Sequence, residues 1–122
     1  MKKNFIIKDN ISIKEALKKV EGSGHHCVYV EKNNKLIGSL TDGDIRKQII
    51  NNVSLDKKIK KIFNKNPKYL EQEKFTRSNA KKIFLKYNID SLPITINKKI
   101  IDIVLIQDLF KNKKSTKKNS IF

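Results

Sequence analysis

The stretch Leu36-Ile-Gly-Ser-Leu-Thr-Asp-Gly-Asp-Ile-Arg46 decides how the rest of the chain is read. Its first half is apolar and β-prone. Its second half opens on Thr41-Asp-Gly-Asp44, so a strand ends at Thr41 and a helix begins at once. A helix starting there points free N–H groups and its positive dipole end at the junction, which makes an anion site. Asp44 sits one turn in, where a carboxylate can accept hydrogen bonds from the two vicinal hydroxyls of a ribose. Thr41 can exchange a hydrogen bond with a phosphate or ribose oxygen. Gly38 lets a planar ring approach the strand, and Arg46 or Lys47 can reach a phosphate. The same residues have a purely structural reading, because Thr41-x-x-Asp44 is a capping box with Asp in place of Glu. Residue types alone leave both readings open.

Outward from this stretch the pattern is regular. Phe5 to Lys8 reads as a short strand. Ser12-Ile-Lys-Glu15 is a capping box ahead of Ile13, Ala16, Leu17 and Val20 at helical spacing, and Gly22 and Gly24 end that helix. Cys27 to Val30 is a strand, Lys32 to Lys35 a turn, and Leu36 to Leu40 the second arm of a hairpin. A helix follows Thr41. Leu55, Ile59, Ile62 and Phe63 share a helical face, so a further helix is predicted over 55–63, ended by Asn66-Pro67. Lys68 to Glu71 is a short strand, and Thr76 caps a helix over 77–87. Leu92 to Ile96 and Ile100 to Ile106 form a second hairpin around Asn97 to Lys99, with a last helix from Gln107. The tail from Lys111 to Ser120 is polar and basic.

The order strand, helix, strand, strand, helix thus occurs twice. Ser12 overlays Thr76, Ala16 overlays Ala80, Val20 overlays Phe84 and Asp44 overlays Asp108, all at one constant offset along the chain. The strands are expected to drift by one residue because the second turn reads as shorter. Each half is too small to bury its own sheet. The fold class is therefore α/β in the α+β sense: two βαββα repeats packed about a pseudo-twofold axis. The boundaries are repeat one over 1–52, a connecting helix and linker over 53–66, repeat two over 67–111 and a basic tail or linker over 112–122.

The charge is loud, at +16 over 122 residues, and it first suggests nucleic acid. Yet only Arg46 and Arg77 are Arg, and every other basic residue is Lys. Lys, Ile and Asn together make up nearly half of the chain, while Ala and Pro number two each. That is the signature of A/T-rich codons, and base readers prefer the fork of Arg. Nucleic acid is therefore not the expected partner. The one Cys excludes an intramolecular disulfide, which fits a reducing, cytoplasmic setting. No apolar run is long enough to span a membrane. His25-His26-Cys27 is not expected to bind metal, since neighbouring strand residues point to opposite faces. No nucleophile, base and orienter can be assembled, so no enzyme is expected.

Gly38-x-x-Thr41-x-x-Asp44 after the second strand of a βαββα unit, with Asn64-Lys-Asn-Pro67 ahead of the next copy and Leu92-Pro-Ile94 entering its strand, resembles a tandem CBS pair, or Bateman module. The resemblance covers about residues 5 to 110. Thr41 to Arg46 with Ser54-Leu-Asp56 is similar to pairs attached to sugar-nucleotide nucleotidyltransferases or sugar-phosphate isomerases, and the start near Met1 fits the former. The resemblance implies a regulatory module that binds an adenine nucleotide (AMP, ADP or ATP), forms a homodimer and has no catalytic cofactor of its own. It implies that Thr41 and Asp44 hold the ribose and phosphate and that the chain around His26, Cys27 and Val28 makes backbone contacts to the base, with Gly38 and Arg46 remaining candidates from the residue types themselves. In the second copy Asp102 takes the place of Gly38 and Leu105 that of Thr41, leaving Asp108 alone. That site is expected to be empty or altered. A ligand-free dimerisation scaffold is the alternative reading, and a basic nucleic-acid binder the third.

Overall fold

In the computed structural model, residues 3–110 are described. The basic tail expected over 112–122 lies outside them. Repeat one comprises β1 (Ile6–Lys8), α1 (Ile13–Ser23), β2 (Cys27–Lys32), β3 (Lys35–Thr41) and α2 (Asp42–Ile50). Repeat two comprises β4 (Leu70–Glu71), α3 (Arg77–Tyr87), β5 (Ser91–Ile96), β6 (Lys99–Leu105) and α4 (Ile106–Phe110). Each repeat forms a three-stranded sheet, β1-β2-β3 and β4-β5-β6. In each, the outer strand is parallel to the central one and the hairpin is antiparallel.

The internal repeat holds more closely than the sequence suggests. Cys27 pairs with Thr41 and Ser91 with Leu105, and a bulge follows Val30 in one hairpin and Ile94 in the other. The expected one-residue drift of the hairpins is absent. The turns are Asn33-Asn34 and Asn97-Lys98, with every one of these residues at positive φ. Such paired positive φ values match the right-handed twist of a hairpin. Lys99, counted into the second turn by sequence, is the first residue of β6, as Lys35 is of β3.

Caps set the helix limits. Ser12 makes the full capping box with Glu15, and the Thr76 hydroxyl accepts from the Asn79 amide at 2.9 Å. α1 ends at Gly24 with φ 74° and α3 at Asn88 with φ 54°, equivalent positions of the two repeats. Gly22, expected to help end α1, lies inside it. The left-handed cap needs Gly or Asn, and of the two glycines only Gly24 adopts it.

The predicted helix over 55–63 is not formed. The segment has one 3₁₀ turn, Ile59–Lys61. Its backbone bonds instead to the entry of α1: Ile13 N–H to Lys57 O at 2.8 Å, Lys14 N–H to Leu55 O at 2.9 Å, and Ile59 N–H to Ile11 O at 3.0 Å. A helix would also have stacked Lys57, Lys58, Lys60 and Lys61 at repulsive spacings. The apolar residues still pack inward, and Ile59 is fully buried.

The core has three parts. Ile7, Ile13, Ala16, Val20, Val28, Val30, Leu40, Ile45, Ile59 and Phe63 fill repeat one. Ala80, Phe84, Leu92 and Leu109 fill repeat two. Between them, Phe5, Tyr29 and Leu36 meet Ile100, Ile103 and Leu105. The central strands β2 and β5 are thus covered on both faces, which explains their near-continuous apolar runs. The hairpins also lock at their tips: Leu36 N–H and Lys35 Nζ donate to Lys98 O and Asn97 O, both at 2.7 Å. The Glu71 carboxylate clasps the second turn, accepting from the Thr95 hydroxyl and the Asn97 and Lys98 amides.

Gly38 is where the linker crosses the sheet. Asn64 and Ser39 exchange backbone hydrogen bonds at 2.8 and 3.0 Å, which lays Phe63 over Gly38. A Cβ at 38 would stand 2.5 Å from Phe63 Cε1 and 2.7 Å from Asn64 O. Gly38→Ala is therefore expected to destabilise the fold by about 1–3 kcal/mol through overpacking. Adding Phe63→Leu should return part of that loss in a denaturant melt, since the Asn64 carbonyl still crowds the new methyl. Equal stability of Gly38→Ala and the parent would refute the crossing.

Candidate functional site

The two repeats meet along a cleft at the starts of β2 and β5. One cavity, of about 380 Å³, is lined from repeat one by His26, Cys27, Tyr29, Thr41 and Asp42, and from repeat two by Asn88, Ile89, Asp90, Ser91 and Ile106. A second, of about 250 Å³, is lined by Tyr29, Ser39, Thr41, Asn64, Lys68, Tyr87 and Ile89. Tyr29, Thr41 and Ile89 belong to both, so Thr41 stands where the two hollows adjoin.

Tyr29 joins the halves. Its hydroxyl lies 2.7 Å from Ser91 Oγ and donates to Ser91 O at 3.0 Å. Both residues are buried, at 4% and 1% exposure. Burial pushes the Tyr29 phenol well above its usual range, and the charge of Cys27 adds to that. Burial likewise pushes the Cys27 thiol up to about 11, so it stays protonated at neutral pH.

The Thr41–Asp44 pair forms the capping box that the sequence allows. Asp44 N–H donates to Thr41 Oγ1 at 3.1 Å, and Thr41 N–H donates to Asp44 Oδ2 at 2.9 Å. Two of the amides expected to be free at the start of α2 are engaged by the protein itself. Asp42 N–H donates to His26 O at 3.1 Å, and Asp44 N–H donates to Thr41 Oγ1. The helix N-terminus therefore offers dipole but few open donors. The cation facing the smaller cavity is Lys68, whose Nζ lies 4.3 Å from the Tyr87 ring centroid.

The other expected ligand residues are placed as follows. His26 and Cys27 line the larger cavity. Val28 is fully buried in the core of repeat one and pairs with Leu40. The planar ring over Gly38 is the protein's own Phe63. Arg46 is largely exposed and lies 3.7 Å from Asp42. In repeat two, Asp108 repeats half the box by accepting from Leu105 N–H at 3.3 Å. Leu105 has no hydroxyl to complete it, and Asp102 is exposed on β6. Among the described residues no cluster of His, Cys, Asp or Glu is arranged to hold a metal ion. No described helix is long and apolar enough to cross a membrane.

Asp42 is not among the residues that the sequence singles out, although it lies within the diagnostic stretch. His26 Nδ1 is 3.1 Å from its Oδ2. Partial burial raises the Asp42 pKa, but the hydrogen bond from His26, then the charges of His26 and Arg46, overcome this and hold it below the usual carboxylate range. Asp90, also missed, lies 3.7 Å from His25 Nδ1 and so sets an acid of repeat two against a base of repeat one. The internal repeat contains the signal: Asp90 and Ser91 are the repeat-two equivalents of His26 and Cys27.

Comparison with known proteins bears on the fold. Residues 1–51 match the family model of the CBS domain. The chain is 32% identical over 108 residues to arabinose 5-phosphate isomerase of Francisella tularensis, a match covering 87% of this chain and 33% of the isomerase. It is 34% identical over 112 residues to inosine-5′-monophosphate dehydrogenase of Aquifex aeolicus, covering 88% of this chain and 22% of that one. The chain thus spans a third or less of the length of these curated relatives. Among solved structures, a CBS-domain protein of Pyrobaculum aerophilum complexed with AMP superposes with TM-score 0.73 at 15% identity, covering 89% of this chain and 85% of that one. A CBS domain pair solved with 5′-methylthioadenosine and S-adenosyl-L-methionine superposes with TM-score 0.68 at 26% identity, covering 84% and 85%. Residues 1–51 are thus identified as a CBS domain, and the two βαββα repeats together have the fold of a CBS pair.

Removing the Tyr29 hydroxyl tests the bridge across the cleft. Tyr29→Phe leaves a buried Ser91 hydroxyl and carbonyl without their partner and should cost about 1–3 kcal/mol. A denaturant melt of that variant within error of the parent would contradict the buried bridge. The Asp42 carboxylate has a depressed folded-state pKa, so its contribution is present above the ordinary carboxylate pKa and is lost as pH falls through the folded value. Asp42→Asn should therefore lose less stability than the parent on acidification through that window. His26→Ala should raise the Asp42 pKa followed by carboxylate NMR.

Proposed function

We propose that the chain is a regulatory module whose inter-repeat cleft senses an adenine nucleotide. The observation that carries this reading is a pair of adjoining cavities, about 380 and 250 Å³, that meet at Thr41 beside the start of α2. The larger is within the size range of small-molecule sites, which begins at roughly 300 Å³. Solved relatives of this fold hold AMP or S-adenosyl-L-methionine, which supports the ligand class. In this reading Thr41 and Asp44 take the ribose and His26, Cys27 and Val28 flank the base. Gly38 shapes the cleft by seating Phe63. Because the Asp42 and Asp44 amides of α2 are engaged, phosphate falls mainly to Lys68 and Arg46. The repeat-two position, with Leu105 and Asp102 in place of Thr and Gly, is left without a nucleotide, and Asp108 serves as a cap.

Ligand binding acts by favouring one arrangement of the two repeats over another, which is the thermodynamic content of regulation. The module is read as non-catalytic, cytoplasmic and homodimeric, serving an attached or associated enzyme. Of the two expected enzyme contexts, sugar-nucleotide nucleotidyltransferases and sugar-phosphate isomerases, the match to arabinose 5-phosphate isomerase supports the second. Ile50, Leu85 and Phe110 on the helices are 73%, 76% and 66% exposed, which favours a second reading as a dimerisation scaffold.

A thermal-shift panel of AMP, ADP, ATP, CMP, UDP and S-adenosylmethionine separates these. A ligand that binds the folded state raises the melting temperature by mass action. Thr41→Ala and Asp44→Asn should each weaken the best ligand about tenfold, the effect of one charge-assisted hydrogen bond, and Asp108→Asn should not. The site assignment fails if Asp108→Asn abolishes binding while Asp44→Asn leaves it intact. No shift with any member at millimolar concentration would leave the scaffold reading.

A further inference from the structure

A third hollow lies away from the cleft, on the segment that links the repeats. It is roomier than either cleft cavity, at about 720 Å³, and is lined by Ile13, Gln48, Asn52, Val53, Ser54, Lys57, Lys58, Lys60, Lys61 and Ile62. We propose that it is a second, independent anion site that takes a small molecule carrying two or more clustered phosphoryl groups.

Four lysines converge on one concavity with no Asp or Glu in its lining. The distribution is not a uniform result of a Lys-rich surface. The larger inter-repeat cavity is lined by Asp42 and Asp90 and no Lys, and a hollow beside β4 is lined by Glu71 and Glu73. Among the described residues, no ion pair takes up Lys57, Lys58, Lys60 or Lys61. Their backbones are held. Ile59, between the two lysine pairs, is fully buried, and the carbonyls of Lys57 and Leu55 accept from the first amides of α1. Charges on a fixed backbone lose less entropy on gripping a ligand than charges on a free loop. The positive end of α1 and the negative end of α2 both approach this hollow, so their fields oppose and the lysines dominate.

Ammonium groups act as point charges for phosphate and lack the fork that reads bases. Gln48, Asn52 and Ser54 add neutral hydrogen-bonding groups to the rim. A bounded concavity of this size suits a small polyanion better than the long track of a nucleic-acid strand.

The probe is inorganic tripolyphosphate, titrated calorimetrically into the full chain at near-physiological salt, with ATP and AMP as further arms. Saturable binding at one site per chain is expected. Lys57→Gln/Lys60→Gln/Lys61→Gln should weaken it at least about tenfold, since each charge-assisted contact is worth that much. Lys18→Gln/Lys19→Gln/Lys82→Gln removes the same charge from other exposed positions and should leave affinity within about twofold. Thr41→Ala should weaken AMP without touching tripolyphosphate, so the cleft and this hollow fail or stand separately. ATP competing with tripolyphosphate while AMP does not would identify the polyphosphate chain as the recognised group. Equal losses in the two triple variants, or displacement of tripolyphosphate by random-sequence duplex at lower concentration than by ATP, would overturn the proposal.

Discussion

A three-stranded sheet with helices on one side has a second apolar face that it cannot bury alone, and the rest of this molecule follows from how that face is covered. Each repeat uses the other. Phe5, Tyr29 and Leu36 meet Ile100, Ile103 and Leu105 in one shared apolar layer. Burial of such side chains contributes roughly 1.5–3 kcal/mol each, so the shared layer outweighs any single polar contact across it. The Tyr29–Ser91 hydrogen bonds give that layer its register. An apolar layer tolerates sliding, whereas a buried hydroxyl pair is satisfied in one alignment only. The cleft follows from this, since Tyr29 fixes how far apart the starts of β2 and β5 lie.

The fold is more legible in the sequence than the site is. Helix caps, the two hairpins and the constant offset between repeats are readable because each rests on local chemistry: Ser12, Thr41 and Thr76 at caps, β-branched runs in strands. What is not readable has one physical source, which is dependence on partners distant in the chain. The segment 55–63 carries a helical apolar pattern, but its backbone is recruited by the first turn of α1, a partner that periodicity does not see. Gly38 is recognisable as a place where a ring approaches, but local sequence does not show that the ring is Phe63. Asp42 carries no local signal because its role depends on His26, which precedes another element.

The two repeats have diverged in charge and in polarity while keeping their backbone register. Asn replaces Gly at the α3 cap without altering its left-handed conformation, since both residues tolerate it. At the α2 and α4 starts, by contrast, Leu105 stands where repeat one has Thr41. The carboxylate of Asp108 still caps a backbone amide, but the hydroxyl that would face a ligand is gone. Structure is thus retained where the backbone requires it and chemistry is retained on one side only. In the proposed reading, this asymmetry leaves one repeat to take the ligand. If both sites bound the same ligand equally, the repeats would be biased alike.

The capping box and the ligand site are often weighed as rivals, yet at Thr41 and Asp44 they are compatible. The box uses Thr41 Oγ1 as an acceptor and Asp44 Oδ2 as an acceptor. A hydroxyl also has a proton to donate, and a carboxylate has lone pairs on both oxygens. The reciprocal bonds hold both side chains in one rotamer, so a ribose arriving at the cleft would meet preorganised groups and incur little ordering cost. Thr41 lines both cleft cavities, while Asp44 stands behind it and lines neither, so the cap holds the Thr41 hydroxyl in place at the cavity wall. In the proposed reading, the difference between the repeats is not the cap, which both halves keep in part, but whether the capping residue has a hydroxyl proton left to give, as Thr41 has and Leu105 has not.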